Sequence, residues 1–133
     1  MSDTVWVQRW LEFAQDDLLA AKRLFNDYHP KMLEASCYHC QQAAEKALKA
    51  YLVLQEYEFP YVHDCRKLCL HCADYDGAFV EYVDDCADLS PYATRARYPQ
   101  EDEMDEPEVK TALRKAERIV SFCAGLIAPE PQE

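Results

Sequence analysis

Gln41-Gln42-Ala43-Ala44-Glu45-Lys46-Ala47-Leu48-Lys49-Ala50-Tyr51-Leu52 contains no glycine, no proline and almost no β-branching. It is rich in Ala, Leu, Glu and Lys, which lose little side-chain freedom in a helix and are the strongest helix formers. Extended backwards, Leu33, Cys37, Cys40, Ala44, Ala47, Leu48 and Tyr51 recur at steps of three and four, which traces one apolar stripe along a helix. Glu45 precedes Lys49 by one turn, the favourable order for an exposed ion pair. The small residues let a neighbouring helix approach closely. The stretch therefore predicts a central helix with its stripe buried and its glutamine–glutamate–lysine side facing water.

The same periodicity runs outward from it. Trp6, Trp10, Phe13, Ala14, Asp17, Leu18, Ala21, Leu24 and Phe25 predict a first helix from about Asp3, its N-cap, to Tyr28, stopped by Pro30. Asp17, the polar intruder, is expected at the stripe's edge, reaching solvent or a tyrosine hydroxyl. The central helix spans about Lys31 or Met32 to Gln55. Residues 56–62 lose the period and read as an extended connector, with a short strand over 57–62 as the alternative. Asp64 is placed to start a third helix that turns Cys65, Leu68, Cys69 and Cys72 inward. Asp74-Tyr75-Asp76-Gly77 is turn chemistry. A fourth helix is expected from Ala78 to Leu89, with Phe79, Val80, Val83, Cys86 and Leu89 facing in and Asp84, Asp85 and Asp88 solvated. Ser90 to Pro99 is basic and aromatic, and the acidic run 100–106 reads as a solvated loop. Asp105 or Glu106 caps a last helix with Pro107 in its first turn and an apolar face from Val109 to Leu126. The expected fold is all-α, an up-and-down antiparallel bundle of four to five helices forming one domain over 1–133.

With 133 residues the chain is large enough to bury a core. Its two glycines leave no phosphate-cradling loop of the P-loop or Rossmann kind, and no cofactor is expected. No apolar run is long enough to span a bilayer, and the N-terminus lacks the basic and apolar segments of a secretion signal, so a cytoplasmic protein without membrane contact is expected. The formal charge of −11, from 25 acidic and 14 basic side chains, opposes nucleic-acid backbones and argues against DNA as a ligand. Seven cysteines, an odd number, do not suggest a disulfide framework. Cys37 with Cys40 and Cys69 with Cys72 have the spacing of a four-thiolate zinc site. Their positions on apolar stripes suggest instead that they pack as small hydrophobes.

Four blocks in order resemble the HEPN domain family: Trp10-Leu11-Glu12-Phe13-Ala14-Gln15-Asp16-Asp17-Leu18-Leu19-Ala20-Ala21, the Gln41–Lys49 run, His63-Asp64 before a short helix, and Arg97-Tyr98-Pro99 before the last helix. The resemblance implies a helical bundle that often forms homodimers. It also implies frequent pairing with a minimal nucleotidyltransferase in two-gene modules, some of them toxin–antitoxin systems. Many members are metal-independent ribonucleases with an arginine and, after four to six intervening residues, a histidine near the start of the last helix. There the cation stabilises phosphate charge and the imidazole moves the proton of a ribose 2′-hydroxyl.

In this chain no histidine follows Arg97, nor Arg114 or Arg118. The pairs with that spacing, Arg23–His29 and Arg66–His71, fall on other segments. The remaining site candidates are Arg97, Tyr98, Arg95, Tyr92, His63 and Lys49. Arginine forks suit phosphate and tyrosines suit a stacked base, while the same residues also serve as ion pairs and packing. The expectation is an interaction partner of a minimal nucleotidyltransferase that binds a nucleotide near Arg97 and Tyr98. The alternatives are a ribonuclease toxin built on Arg97, Arg95 and His63, with RNA as its substrate, and a purely structural dimerising module.

Overall fold

In a computed structural model, residues 3–57, 63–95, 99 and 103–127 are described. They form α1 (Asp3–Asn26), α2 (Leu33–Leu54), α3 (Cys65–Ala73), a 3-10 segment (Gly77–Tyr82) running into α4 (Val83–Leu89), the single turn α5 (Tyr92–Arg95) and α6 (Glu106–Leu126). No strand occurs among the described residues; most of the connector where one was considered, residues 58–62, lies outside them, as do residues 100–102 of the acidic run.

The starts of α3, of the 3-10 segment and of α6 are fixed by aspartates that satisfy otherwise orphan backbone N–H groups. Asp64 accepts from the backbone of Arg66 and Lys67, Asp76 from Ala78, and Asp105 from Glu108. At the other end of α2, Glu56 takes a left-handed φ of 59° and the Tyr57 N–H reaches back to the Leu52 carbonyl at 3.0 Å, closing the helix in the manner usually given to glycine.

Side-chain contacts set the directions. Ser36 donates to the Ala21 carbonyl, His39 and Lys46 meet Asp17, and Lys49 lies over Trp10. As α2 advances its partners on α1 recede, so the two are antiparallel. Cys65 donates to the Gln41 carbonyl and Cys72 to that of Leu48, a matched advance that sets α3 alongside α2 in the same sense. Asp88 pairs with Lys115 and Asp85 with Arg118, so α4 runs against α6. Near its end α6 closes a small cluster of Val7, Leu11, Ala50 and Ile127. The result is an all-α helical bundle wrapped around α2.

That wrapping changes the reading of α2. Every residue from Ala47 to Leu52 is buried, so the helix is walled on all sides rather than along one stripe. The Glu45–Lys49 pair, expected in water, retains 3 % and 5 % of its surface, because α1 and the His63 segment close over it. Val80, expected inside, is exposed, while Phe79 stays buried; residues 77–82 wind as a 3-10 helix, whose three residues per turn rotate Val80 away from the core. The acidic run is not wholly solvated either, since Met104 is buried in the core just before the Asp105 cap.

Candidate functional site

Three buried polar residues of α2 fall on one line, Gln41, Glu45 and Lys49, each a turn from the next. Gln41 Nε2 and Lys49 Nζ both reach the Glu45 carboxylate at 2.8 Å, and His63 Nδ1 lies 3.0 Å from it. Burial pushes the Glu45 carboxyl up, but hydrogen bonds from Lys49, His63 and Gln41 outweigh that and hold it below its ordinary value. The arrangement also reaches forward in the chain: Gln41 contacts the His63 carbonyl, fixing the entry to α3. His63 itself is exposed on its outer side. With Nδ1 on Glu45 its Nε2 is the ring nitrogen left to face an external group, the geometry of an oriented imidazole that can take or give a proton.

A second cluster lies on the α1–α2 seam. Asp17 is buried and accepts from His39 Nδ1 at 2.8 Å and Lys46 Nζ at 2.7 Å. Its carboxylate is taken up by two donors of α2 rather than by a tyrosine hydroxyl or open solvent. Beside it Phe13 stands between cations, with Arg9 5.6 Å and Lys46 5.8 Å from its ring centre, and Lys49 is 5.5 Å from that of Trp10.

The corner between α4 and α6 holds two more of the candidates. Tyr92 donates to Glu108 at 2.7 Å, and burial, then the Glu108 hydrogen bond, push its hydroxyl well above the ordinary tyrosine range. Arg95 Nε pairs with Glu34 at 3.2 Å, and the pairing raises the guanidinium further. A groove of about 520 Å³ opens beside them, lined by Asp88, Tyr92, Glu108, Thr111 and Lys115 among others. Arg97 and Tyr98 lie outside the described residues.

The structure therefore brings His63 and Lys49 together on Glu45, and Tyr92 and Arg95 together at the start of α2 and α6, but not the two pairs with each other. Glu34 and Glu45, which anchor them, are separated by about 16 Å along α2 at the usual α-helical rise. The cysteines proposed as zinc ligands, Cys37, Cys40, Cys69 and Cys72, are all buried thiols. Cys69 and Cys72 donate to the carbonyls of Phe79 and Leu48. Burial pushes the Cys37 thiol up to about 12. Among the described residues no group of three or more His, Cys, Asp or Glu is placed to hold a metal ion.

The profile of the HEPN domain family matches residues 7–126. The chain belongs to the HEPN domain family. Among solved structures it is similar to ST0689, described as an archaeal HEPN homologue, with a TM-score of 0.69 and 25 % identity over 92 % of this chain and 98 % of that one. It is also similar in fold to TT1696 from Thermus thermophilus, with a TM-score of 0.77 and 23 % identity over 90 % of this chain and 96 % of that one. No curated protein matches the sequence.

Within this HEPN bundle the arginine–histidine spacings elsewhere in the chain make no pair. Arg23 is bound to Asp27, and His71 is turned to Tyr57 with Nδ1 3.2 Å from the hydroxyl, whereas Arg66 is exposed on α3. Sequence reasoning missed the Asp17–His39–Lys46 cluster and the burial of Glu45. The available signal was the same in both cases, a charged residue on or beside an apolar stripe, which is tolerated inside only when a neighbouring element brings a partner. Among the described residues every buried side-chain nitrogen and oxygen has one.

Proposed function

We propose that this HEPN protein acts by binding rather than by catalysis, as the partner of a minimal nucleotidyltransferase, with a nucleotide held at the corner that leads from Tyr92 and Arg95 to Arg97 and Tyr98. The observation that carries the reading is the distribution of histidines: the last is His71, so the corner before the final helix has arginines but no imidazole. Such a corner can bind phosphate without moving a proton. Tyr92 and Arg95, engaged by Glu108 and Glu34, brace it, and Arg97 and Tyr98 supply the fork and the ring for the ligand. A thermal-shift titration with ATP tests the nucleotide part: the melting temperature should rise, and Arg97→Ala should remove the rise while leaving the unliganded melting temperature unchanged. A flat response from the wild type contradicts it.

One observation favours a catalytic second reading, the exposed imidazole of His63 seated on Glu45. Its test is incubation with single-stranded RNA and no metal. Cleavage that disappears in His63→Ala supports a nuclease, and equal inertness of both proteins leaves the binding reading standing.

A further inference from the structure

The outer side of α3 carries cations that no carboxylate takes up. Cys65, Leu68, Cys69 and Cys72 turn into the core. That leaves Arg66, Lys67 and Leu70 exposed on one face, since residues three and four apart are neighbours on a helix. Basic side chains elsewhere sit in ion pairs, Lys22 with Glu117, Arg95 with Glu34 and Lys115 with Asp88 among them. Arg66 and Lys67 make no ion pair among the described residues. Just ahead of them His63 is held through Nδ1 by Glu45 while its side chain stays 68 % exposed, which leaves Nε2 for an external group.

The described carboxylates that flank these cations are engaged or turned away. Asp64 accepts from the backbone N–H groups of Arg66 and Lys67 and from the Ser90 hydroxyl, and Glu45 is buried against Lys49. On α4, Asp85 and Asp88 are drawn to α6 by Arg118 and Lys115, and Asp84 stands about 40° from Asp88 around the same helix. Exposed Asp74 closes the far end of α3, about 10 Å along the axis from Lys67 and beyond the screening length of about 8 Å at physiological salt. The chemistry left open suits phosphate. Arginine offers a fork to its oxygens and lysine a point charge, and protonated His63, its Nδ1–H on Glu45, presents Nε2–H. Because Asp64 already holds the backbone N–H groups, the side chains and not the helix end supply the donors. Further along α3 the Tyr57 ring lies against His71 and meets exposed Tyr75, a surface on which a nucleic-acid base can stack.

We propose that His63, Arg66 and Lys67 form a binding site for phosphate groups on the outer side of α3, apart from the corner before α6. The site rests on neither reading above, since it uses no residue of that corner and requires no cleavage. Fluorescence anisotropy with a labelled single-stranded RNA, 2′-O-methylated so that binding is measured apart from chemistry, tests it, with tripolyphosphate and polyglutamate as competitors. Arg66→Glu and Lys67→Glu should each weaken Kd at least fivefold and make the salt dependence shallower. Lys110→Glu, the same charge change at an exposed lysine of α6, and Arg97→Ala should bind as the wild type does; circular dichroism verifies that each variant keeps its helices. Affinity for the RNA should rise from pH 8 to pH 6 as the imidazole takes up its proton, and His63→Gln should lose that gain. A loss of about fivefold in Tyr75→Ala assigns the phosphates to a nucleic-acid strand, whereas unchanged binding by Tyr75→Ala with ready displacement by tripolyphosphate assigns them to a free phosphoanion. A wild type that does not bind, or an equal loss in Lys110→Glu, overturns the site. Displacement by polyglutamate as effective as by tripolyphosphate overturns phosphate as the group recognised.

Discussion

Glu45 is a carboxylate with three donors around it and almost no water, and its energetic role follows from that imbalance. Removing the partner of a buried charge is costly because the remaining ion is left poorly solvated, so Glu45→Ala, which takes the carboxylate from buried Lys49, should lower stability by about 3–5 kcal/mol. Chemical denaturation measures this directly. The carboxyl is held below its ordinary value when folded, so the folded state binds its proton less readily than the unfolded chain. Its stabilising contribution is then fully present above the unfolded value of about 4.3 and is lost as pH falls through the lower folded value. Stability measured from pH 6 down to pH 3 should fall in the wild type, and Glu45→Gln should flatten the part of that fall which Glu45 causes. An unchanged acid profile in Glu45→Gln contradicts the assignment. The seven cysteines are all buried and unpaired, so a thiol reagent should find none reacting rapidly in the native protein and seven after unfolding. Residue identity alone could not distinguish the buried Glu45–Lys49 pair from an exposed one, because the spacing of one helical turn is the same in both. Only the residues that α1 and the His63 segment bring from far along the chain decide it.

At the scale of the helices, the punctuation was legible and the interior winding was not. Asp64 and Asp105 stand where caps belong, and each indeed takes a backbone N–H of its own first turn; Asp64→Ala and Asp105→Ala should each cost about 1 kcal/mol, with hydrogen exchange rising in α3 or α6 respectively. Glu56 is the opposite case, a residue with a side chain in a left-handed conformation. Glu56→Gly should therefore raise stability by about 0.5–1 kcal/mol, since glycine adopts that φ without the steric cost of a Cβ. The segment before α4 defeated the periodicity argument. Phe79, Val80 and Val83 fit an α-helical stripe, but the tighter 3-10 turn after Gly77 puts Val80 in water. Apolar spacing over six residues cannot separate the two helices, whose periods differ by only a fraction of a residue per turn.

At the scale of the molecule, the all-α bundle and the HEPN family were readable because the Trp10–Ala21 and Gln41–Lys49 blocks sit on long helices without glycine. The return of the chain between α2 and α3 was not, since nothing in residues 56–62 specifies that α3 should run in the same sense as α2. The candidate site was legible only in part. His63 and Lys49 do meet, around the buried Glu45, yet the arginine corner lies about three turns away along α2 and the candidates Arg97 and Tyr98 are outside the described residues. Among the described residues no helix is long and apolar enough to cross a membrane. The net charge of −11 adds a prediction at this scale: an encounter with a basic partner surface should slow as ionic strength rises, because screening shortens the reach of the attraction to about 8 Å at physiological salt.

The most direct test of the central claim, that this HEPN protein works by binding a minimal nucleotidyltransferase, is to co-express it with a minimal nucleotidyltransferase from the same genome and determine the mass of the purified species by light scattering. A single stoichiometric complex that persists through gel filtration is the predicted result, and separate elution of the two proteins at micromolar concentration would contradict it.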